Sequence, residues 1–351
     1  MPPGKQSRRR AIGIGILVAM VVLSQTRYAR AQDPQLRFGA NVPMAVETIY
    51  DKGLSWLVAN QNADGSWGAR GNTAGIDGMC VMAMLAVGED PNFGKYSENI
   101  RRATASIIAG QDASTGYMGG SMYHHGFATL GLSEVYGVLD ESRLWEGVNA
   151  NSQRTIGEAL ELAVRCAVTS QQSNQWKAWR YSPGANDADT SVAGAVLMGL
   201  LAARNAGIAV PDESIDGAIE YFQKMTTSRG DVGYSGIGGG NSPNLPAIAT
   251  LVYSIGKRKE LPQYKATLGR VQENLESSSP YPFYFRYYMA QALFQGDFDA
   301  WDRWNQKTIR ELKDQQAEDG SFNGSHGQAY ATAMSMLALA LNYRFLPIYE
   351  R

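Results

Sequence analysis

Two cysteines and three histidines are all that this chain of 351 residues offers to a disulfide framework or a metal. Cys80 and Cys166 allow one bridge at most, and both sit among apolar helical residues, where a small buried hydrophobe is the simpler reading. Strand-like alternation of any length is missing as well. Gly-, Asn- and Ser-rich turns separate the apolar segments, which argues for an all-α chain.

Apolar runs long enough to cross a membrane are also lacking. The longest, Ala11–Leu23, has thirteen residues, whereas a spanning helix needs about 20. Lys5, Arg8, Arg9 and Arg10 precede it and Ala29-Arg30-Ala31 follows. Basic, apolar, then small-x-small is the order of a secretory signal, so residues 1–31 are expected to be removed and the protein exported. That segment carries six basic residues and no acid. Its loss leaves 26 basic against 33 acidic side chains, a net charge of −7. An acidic protein without a basic cluster is a poor partner for nucleic acid or an anionic membrane surface. A short linker over 32–46 and one domain over 47–346 are expected.

What the sequence has in abundance is repetition. Gln61 heads the loop Asp64-Gly65-Ser66-Trp67, and Gln316 heads Asp319-Gly320-Ser321-Phe322. Between them, units headed at Gln111, Gln172, Gln223 and Asn274 complete a set of six. Each unit pairs two kinds of helix. ESIDGAIEYFQKM (213–225) and RWNQKTIRELKDQ (303–315) are amphipathic, whereas SVAGAVLMGLLAA (191–203) and ATAMSMLALAL (331–341) are apolar all round. An open stack would need polar-faced end caps, and the last helix is not one, so the pattern predicts a closed double ring with the apolar helices inside.

Lys52-Gly53-Leu54-Ser55-Trp56-Leu57, then Gln61 and Asp64-Gly65-Ser66-Trp67, resemble the prenyltransferase and squalene-cyclase repeat. Gln316 with Asp319, Gly320 and Phe322 matches its latter half, and Gln111 with Gly116-Tyr117 is a degenerate copy. The resemblance implies an (α/α)6 toroid in which these loops are structural joints between neighbouring helices. The physics agrees, since Asp-Gly is a turn dipeptide and an aromatic can plug a seam. Fold alone does not fix activity.

The resemblance places a site at the N-terminal ends of the inner helices. Cyclases of this kind that protonate an alkene carry Asp-x-Asp-Asp-Thr there, and this chain reads Asp187-Ala188-Asp189-Thr190. Asp189 matches the proton donor while Thr190 replaces the second Asp, which leaves Asp187 and Asp189 as catalytic candidates. Helix capping is the plain alternative for either. Tyr284, Tyr287, Tyr288, Trp179, Tyr181, His124 and Tyr330 are the candidate ligand-binding residues, because ring faces stabilise positive charge; core packing is the alternative. The zinc site of the protein-prenyltransferase branch is not matched. Asp77, Cys80 and His326 supply the residue types at other positions, so neither metal nor cofactor is expected.

Three functions follow. One is a terpenoid-cyclase-like toroid holding an isoprenoid or other apolar small molecule. The second is a non-catalytic exported scaffold with a partner of its own. The third is a carbohydrate-active enzyme using two of Asp187, Asp189 and Glu134. Intact-mass spectrometry of exported protein should find a chain starting at Gln32; a secreted chain that retains residues 1–31 would contradict the signal assignment.

Overall fold

The computed structural model describes residues 41–68, 74–148, 153–236 and 242–349. The signal segment and most of the expected linker lie outside them. Among the described residues there are twelve α-helices and no β-strand, only two isolated bridges inside loops. The amphipathic outer helices are α1 (Met44–Ala59), α3 (Ser97–Ala109), α5 (Ile156–Ser173), α7 (Asp212–Met225), α9 (Pro262–Glu273) and α11 (Phe298–Gln315). The apolar inner helices are α2 (Ala74–Leu85), α4 (Met122–Val135), α6 (Thr190–Asn205), α8 (Asn244–Ile255), α10 (Pro282–Gly296) and α12 (Gln328–Leu339).

The helix starts follow local chemistry. Thr155 and Glu158 form a reciprocal capping box on α5, Ser121 and Asp297 cap α4 and α11, and Pro282 opens α10. Outer helix α11 buries one stripe, including Trp301, Trp304 and Leu312, while inner helix α6 buries nearly every residue from Thr190 to Ala203. Small residues let the inner ring close tightly. A Cβ on Gly126 would stand 2.6 Å from the Ala195 backbone of the neighbouring inner helix.

The ring is held by one joint, used repeatedly. The Gln61 amide donates to the Gly65 carbonyl of its own loop (2.9 Å) and to Asn99 O on the next outer helix (3.0 Å). Gln111 does the same with Gly116 and Ala159, and Gln316 with Gly320 and Ile49 of the first helix, which closes the circle as the sequence predicted. Tyr50 OH donating to Met336 O at 2.6 Å reinforces that closure. The aromatic plugs the seam: Trp67 Nε1 donates to Leu57 O at 2.7 Å, and Asp77 Oδ1 accepts from the Trp67 backbone N–H at 2.9 Å.

Three middle joints differ from the expected anchors. In unit 3 the bridging amide belongs to Gln171, not Gln172, and donates to Lys177 O and Ser214 O. Lys177 takes the left-handed backbone (φ 54) that glycine holds elsewhere, and the facing helix supplies the space with Gly217, whose Cβ would lie 3.2 Å from the Lys177 Cβ. In unit 4 the loop turns at Gly230, four residues after Thr226, and Gln223 stays within α7. Asn274 caps α9 without reaching α11. There Arg286 crosses the seam to Glu311 (3.2 Å) and Gln315 (3.0 Å), helped by a Lys307–Glu276 ion pair.

Gly320 has φ +93, and a Cβ there would stand 2.3 Å from Lys52 O, whereas Gly207 (φ +100) has open space around it. Gly320→Ala should therefore destabilise by about 3 kcal/mol, against about 1 for Gly207→Ala; equal losses in urea unfolding would refute the seam argument. His125 serves the joint of unit 2, with Nδ1 accepting from Met118 N–H and Nε2 donating to Ala163 O. Burial lowers its pKa to about 4 against the bond to Ala163, which raises it. The unfolded imidazole takes up a proton near pH 6.5, so stability is full above that pH. It should fall by on the order of 3 kcal/mol as pH drops to about 4. His125→Gln should flatten this decline; an unchanged slope would refute it.

Candidate functional site

The alternating chain direction brings the N-terminal ends of the inner helices to one end of the ring. Asp189 caps α6, with Oδ1 accepting from Ser191 N–H (2.8 Å) and Val192 N–H (3.0 Å). The residue is wholly buried, and its second oxygen, Oδ2, makes no close hydrogen bond, although the Tyr181 and Tyr234 hydroxyls turn toward it. Asp187 lies apart from it on the exposed rim, paired with Arg180 at 3.1 Å. The two candidate carboxylates therefore do different things, one facing the axis and one facing solvent.

Two tyrosines stand over Asp189. The Tyr181 and Tyr234 hydroxyls bond each other at 3.1 Å. Their backbones are stitched to the inner ring, since Tyr181 O accepts from Met122 N–H and Tyr234 O accepts from Thr190 N–H, both at 2.8 Å. The side of the pair is open: Tyr181 is 48% and Tyr234 38% exposed, as is Tyr281 at 55% across the mouth. Burial pushes the Tyr234 phenol well up, and its bond to Tyr181 and the Asp189 carboxylate add to the rise. Arg180 lies over the Tyr234 ring, 5.9 Å from its centroid.

Below this rim ring packs on ring. Tyr284 and Tyr288 are 4.8 Å apart, Tyr287 and Tyr288 4.9 Å, and Tyr123 and Tyr284 6.0 Å. The hydroxyls of Tyr123, Tyr284 and Tyr288 are buried and make no close hydrogen bond, with Tyr284 turned toward Ser191 and Tyr288 toward Tyr284. Burial, above all, raises all three pKa values far above the usual phenol range, so these groups stay hydroxyl donors. Tyr287 instead bonds Tyr349 OH at 2.8 Å, where the C-terminal segment folds under the inner ring. His124 lies at the mouth with Nδ1 unpartnered, its pKa lowered by burial and then by the charge of His326. Tyr330 stands 5.4 Å from His326, and Tyr281 6.3 Å from it on the same patch.

Of the sequence candidates, Asp189, Tyr181, Tyr284, Tyr288, His124 and Tyr330 are brought to this end of the ring. Trp179 is not: it is the seam plug of unit 3, its Nε1 donating to Ala167 O at 2.8 Å as Trp67 does in unit 1. Tyr123, Tyr234 and Arg180 belong to the mouth and lie outside the candidate set. Tyr123 opens inner helix α4 and Tyr234 stands alone in a Gly-rich loop, where no cluster of aromatics marks either.

The mouth therefore offers ring faces, hydroxyl donors, two imidazoles and one inward carboxylate. Glycoside cleavage uses two carboxylates facing one site, and the other acids considered have their own settings. Asp187 is paired on the rim, and Glu134 acts on Tyr287 and Tyr349 at the opposite end. Among the described residues no three His, Cys, Asp or Glu side chains gather as a metal site. The Cys80 thiol is pushed up by burial and then by Asp77, which makes it a poor thiolate. A cavity of about 690 Å³ lies in the seam between units 1 and 2. It belongs to the joints. Arg101 there is held by Glu98 and Leu144 O, and Arg102 by Asn62 O and Ala63 O.

No protein-family profile matches the sequence, and neither does any curated protein. Solved structures do match in fold. The α-1,6-mannanase GH76A of Salegentibacter sp. HEL1_6 superposes with a TM-score of 0.57 at 7% identity, over 86% of this chain and 98% of that one. The type II terpene cyclase MstE from Scytonema, as a variant bound to merosterolic acid A, gives 0.54 at 15% identity over 86% and 98%. A β-1,3-1,4-glucanase from Paenibacillus sp. X4 gives 0.54 at 11% identity over 86% and 92%. At such identities the likeness speaks for architecture alone: the chain is an all-α (α/α)6 toroid, of the fold shared by a terpene cyclase, a mannanase and a glucanase.

Proposed function

We propose that the protein is an exported, non-hydrolytic binding toroid that takes a sugar unit of a glycan at its tyrosine-rimmed mouth. The observation that carries this reading is the open rim of Tyr181, Tyr234 and Tyr281 above hydroxyls of Tyr123, Tyr284 and Tyr288 that make no close hydrogen bond. A sugar has an apolar C–H face that lies on an aromatic ring and hydroxyl edges that pair with phenols, imidazole and carboxylate. Mixed aromatic and polar linings of this kind suit such two-faced ligands. A long isoprenoid would leave the buried hydroxyls unpaired, which costs about 1–3 kcal/mol each. The ring-on-ring packing below the rim also leaves little room for one. Asp187 pairs with Arg180 on the exposed rim while Asp189 is buried, and that division of the two acids favours binding over cleavage.

A second reading rests on Asp189. One of its oxygens makes no close hydrogen bond and lies among tyrosines, a setting that an acid starting a cation cascade could use. Calorimetry with the mature protein, α-1,6-mannotriose and a β-1,3-1,4-glucan oligosaccharide separates the two. Binding should be measurable for a sugar, fall about 10-fold in Tyr234→Ala, and release no reducing ends. Conversion of geranylgeranyl dihydroxybenzoate by the wild type but not by Asp189→Asn would overturn the binding reading in favour of the acid.

A further inference from the structure

The mouth carries a charge that the chain does not balance there. Asp189 is wholly buried, its Oδ1 is used by the cap of α6, and its Oδ2 makes no close hydrogen bond, with the Tyr181 and Tyr234 hydroxyls turned toward it and no cation beside it. Burying a carboxylate is costly unless a charged or hydrogen-bonding partner compensates it. The cation nearby in sequence, Arg180, is taken by Asp187 on the rim. Around that oxygen stand Tyr181, Tyr234 and Tyr284; the first two are half-exposed, their hydroxyls bond each other and turn toward Asp189, and the third adds its phenol from below. Tyrosine faces attract organic cations, most strongly where water is excluded, and a carboxylate at the base of such a cage adds direct charge pairing. The rim already displays this chemistry, since the Arg180 guanidinium rests on Tyr234 with Asp187 as its counter-charge.

We propose that the mouth selects a ligand bearing an ammonium group, which seats among Tyr181, Tyr234 and Tyr284 against Asp189 Oδ2. Resting on the glycan reading above, the preferred sugar is a free amino sugar, in contrast to a neutral or N-acetylated one. The Tyr181–Tyr234 pair is the cover that turns aside to admit the charged group. Asp187 and Arg180 keep their own pair and hold Tyr234 in place.

The test is calorimetry near neutral pH on the mature protein with four probes: the free diamine chitobiose, N,N′-diacetylchitobiose, cellobiose and benzyltrimethylammonium. Chitobiose should bind at least tenfold more tightly than either neutral disaccharide. Asp189→Asn keeps a capping oxygen and removes the charge, so it should erase that preference, as should Asp189→Ser, which also caps. Thermal melts confirm that both variants remain folded. Equal binding of chitobiose and the neutral sugars, or a preference that survives both substitutions, overturns the ammonium proposal while leaving glycan binding intact. Asp189-dependent binding of benzyltrimethylammonium with no sugar bound supports the ammonium site and overturns the glycan reading. Binding of none of the four overturns both.

Discussion

A single side-chain amide that serves two carbonyls at once is what the ring depends on. Gln61, Gln111, Gln171 and Gln316 each tie a loop to itself and to the next outer helix. Each bond contributes only about 0.5–1.5 kcal/mol. Their weight lies in geometry, because they fix the angle at which one helical pair meets the next. Ring closure leaves that angle little freedom, and the inner helices can be apolar all round only because the ring closes. The tyrosine mouth in turn exists only because closure brings six helix starts together.

The mouth and the seams use their polar groups differently. In the seams the loop donors meet acceptors across the joint, down to the backbone N–H of Trp67 on Asp77 and of Phe322 on Thr332. Buried polar atoms without a close partner occur in several places, Gln111 Oε1 and both amide atoms of Gln291 among them. At the mouth Asp189 Oδ2, His124 Nδ1 and the hydroxyls of Tyr123, Tyr284 and Tyr288 gather beneath an exposed rim, and that clustering directs attention to this end of the ring.

The sequence was most legible where the same physics recurred. The outer loops, nearly identical at Gln61 and Gln316, led to the fold and to closure. The middle joints were harder for identifiable reasons. Gln171 and Gln172 are adjacent, and only the facing carbonyl of Ser214 selects between them. Unit 5 has no loop joint, because Arg286 spans the gap from the inner helix, and no repeat pattern contains such a substitution. Density drew attention to the tyrosines of 281–288, whereas only folding brings Tyr234 beside Asp189 and Tyr123 beside Tyr284. Asp187 and Asp189 are alike in sequence and are separated by the turn into α6, which sends one inward and one outward.

The exchange in unit 3 has a wider meaning. Four joints place glycine in the loop against a larger residue on the helix: Arg102, Leu162, Ala266 or Lys52. Unit 3 reverses the arrangement, with Lys177 in the loop and Gly217 on the helix. The conserved quantity is thus the gap between two neighbours, and no residue owns it. The six units are therefore not interchangeable bricks. Each is keyed to the one after it, so transplanting unit 3 would carry a bulky loop to a helix that has no room for it.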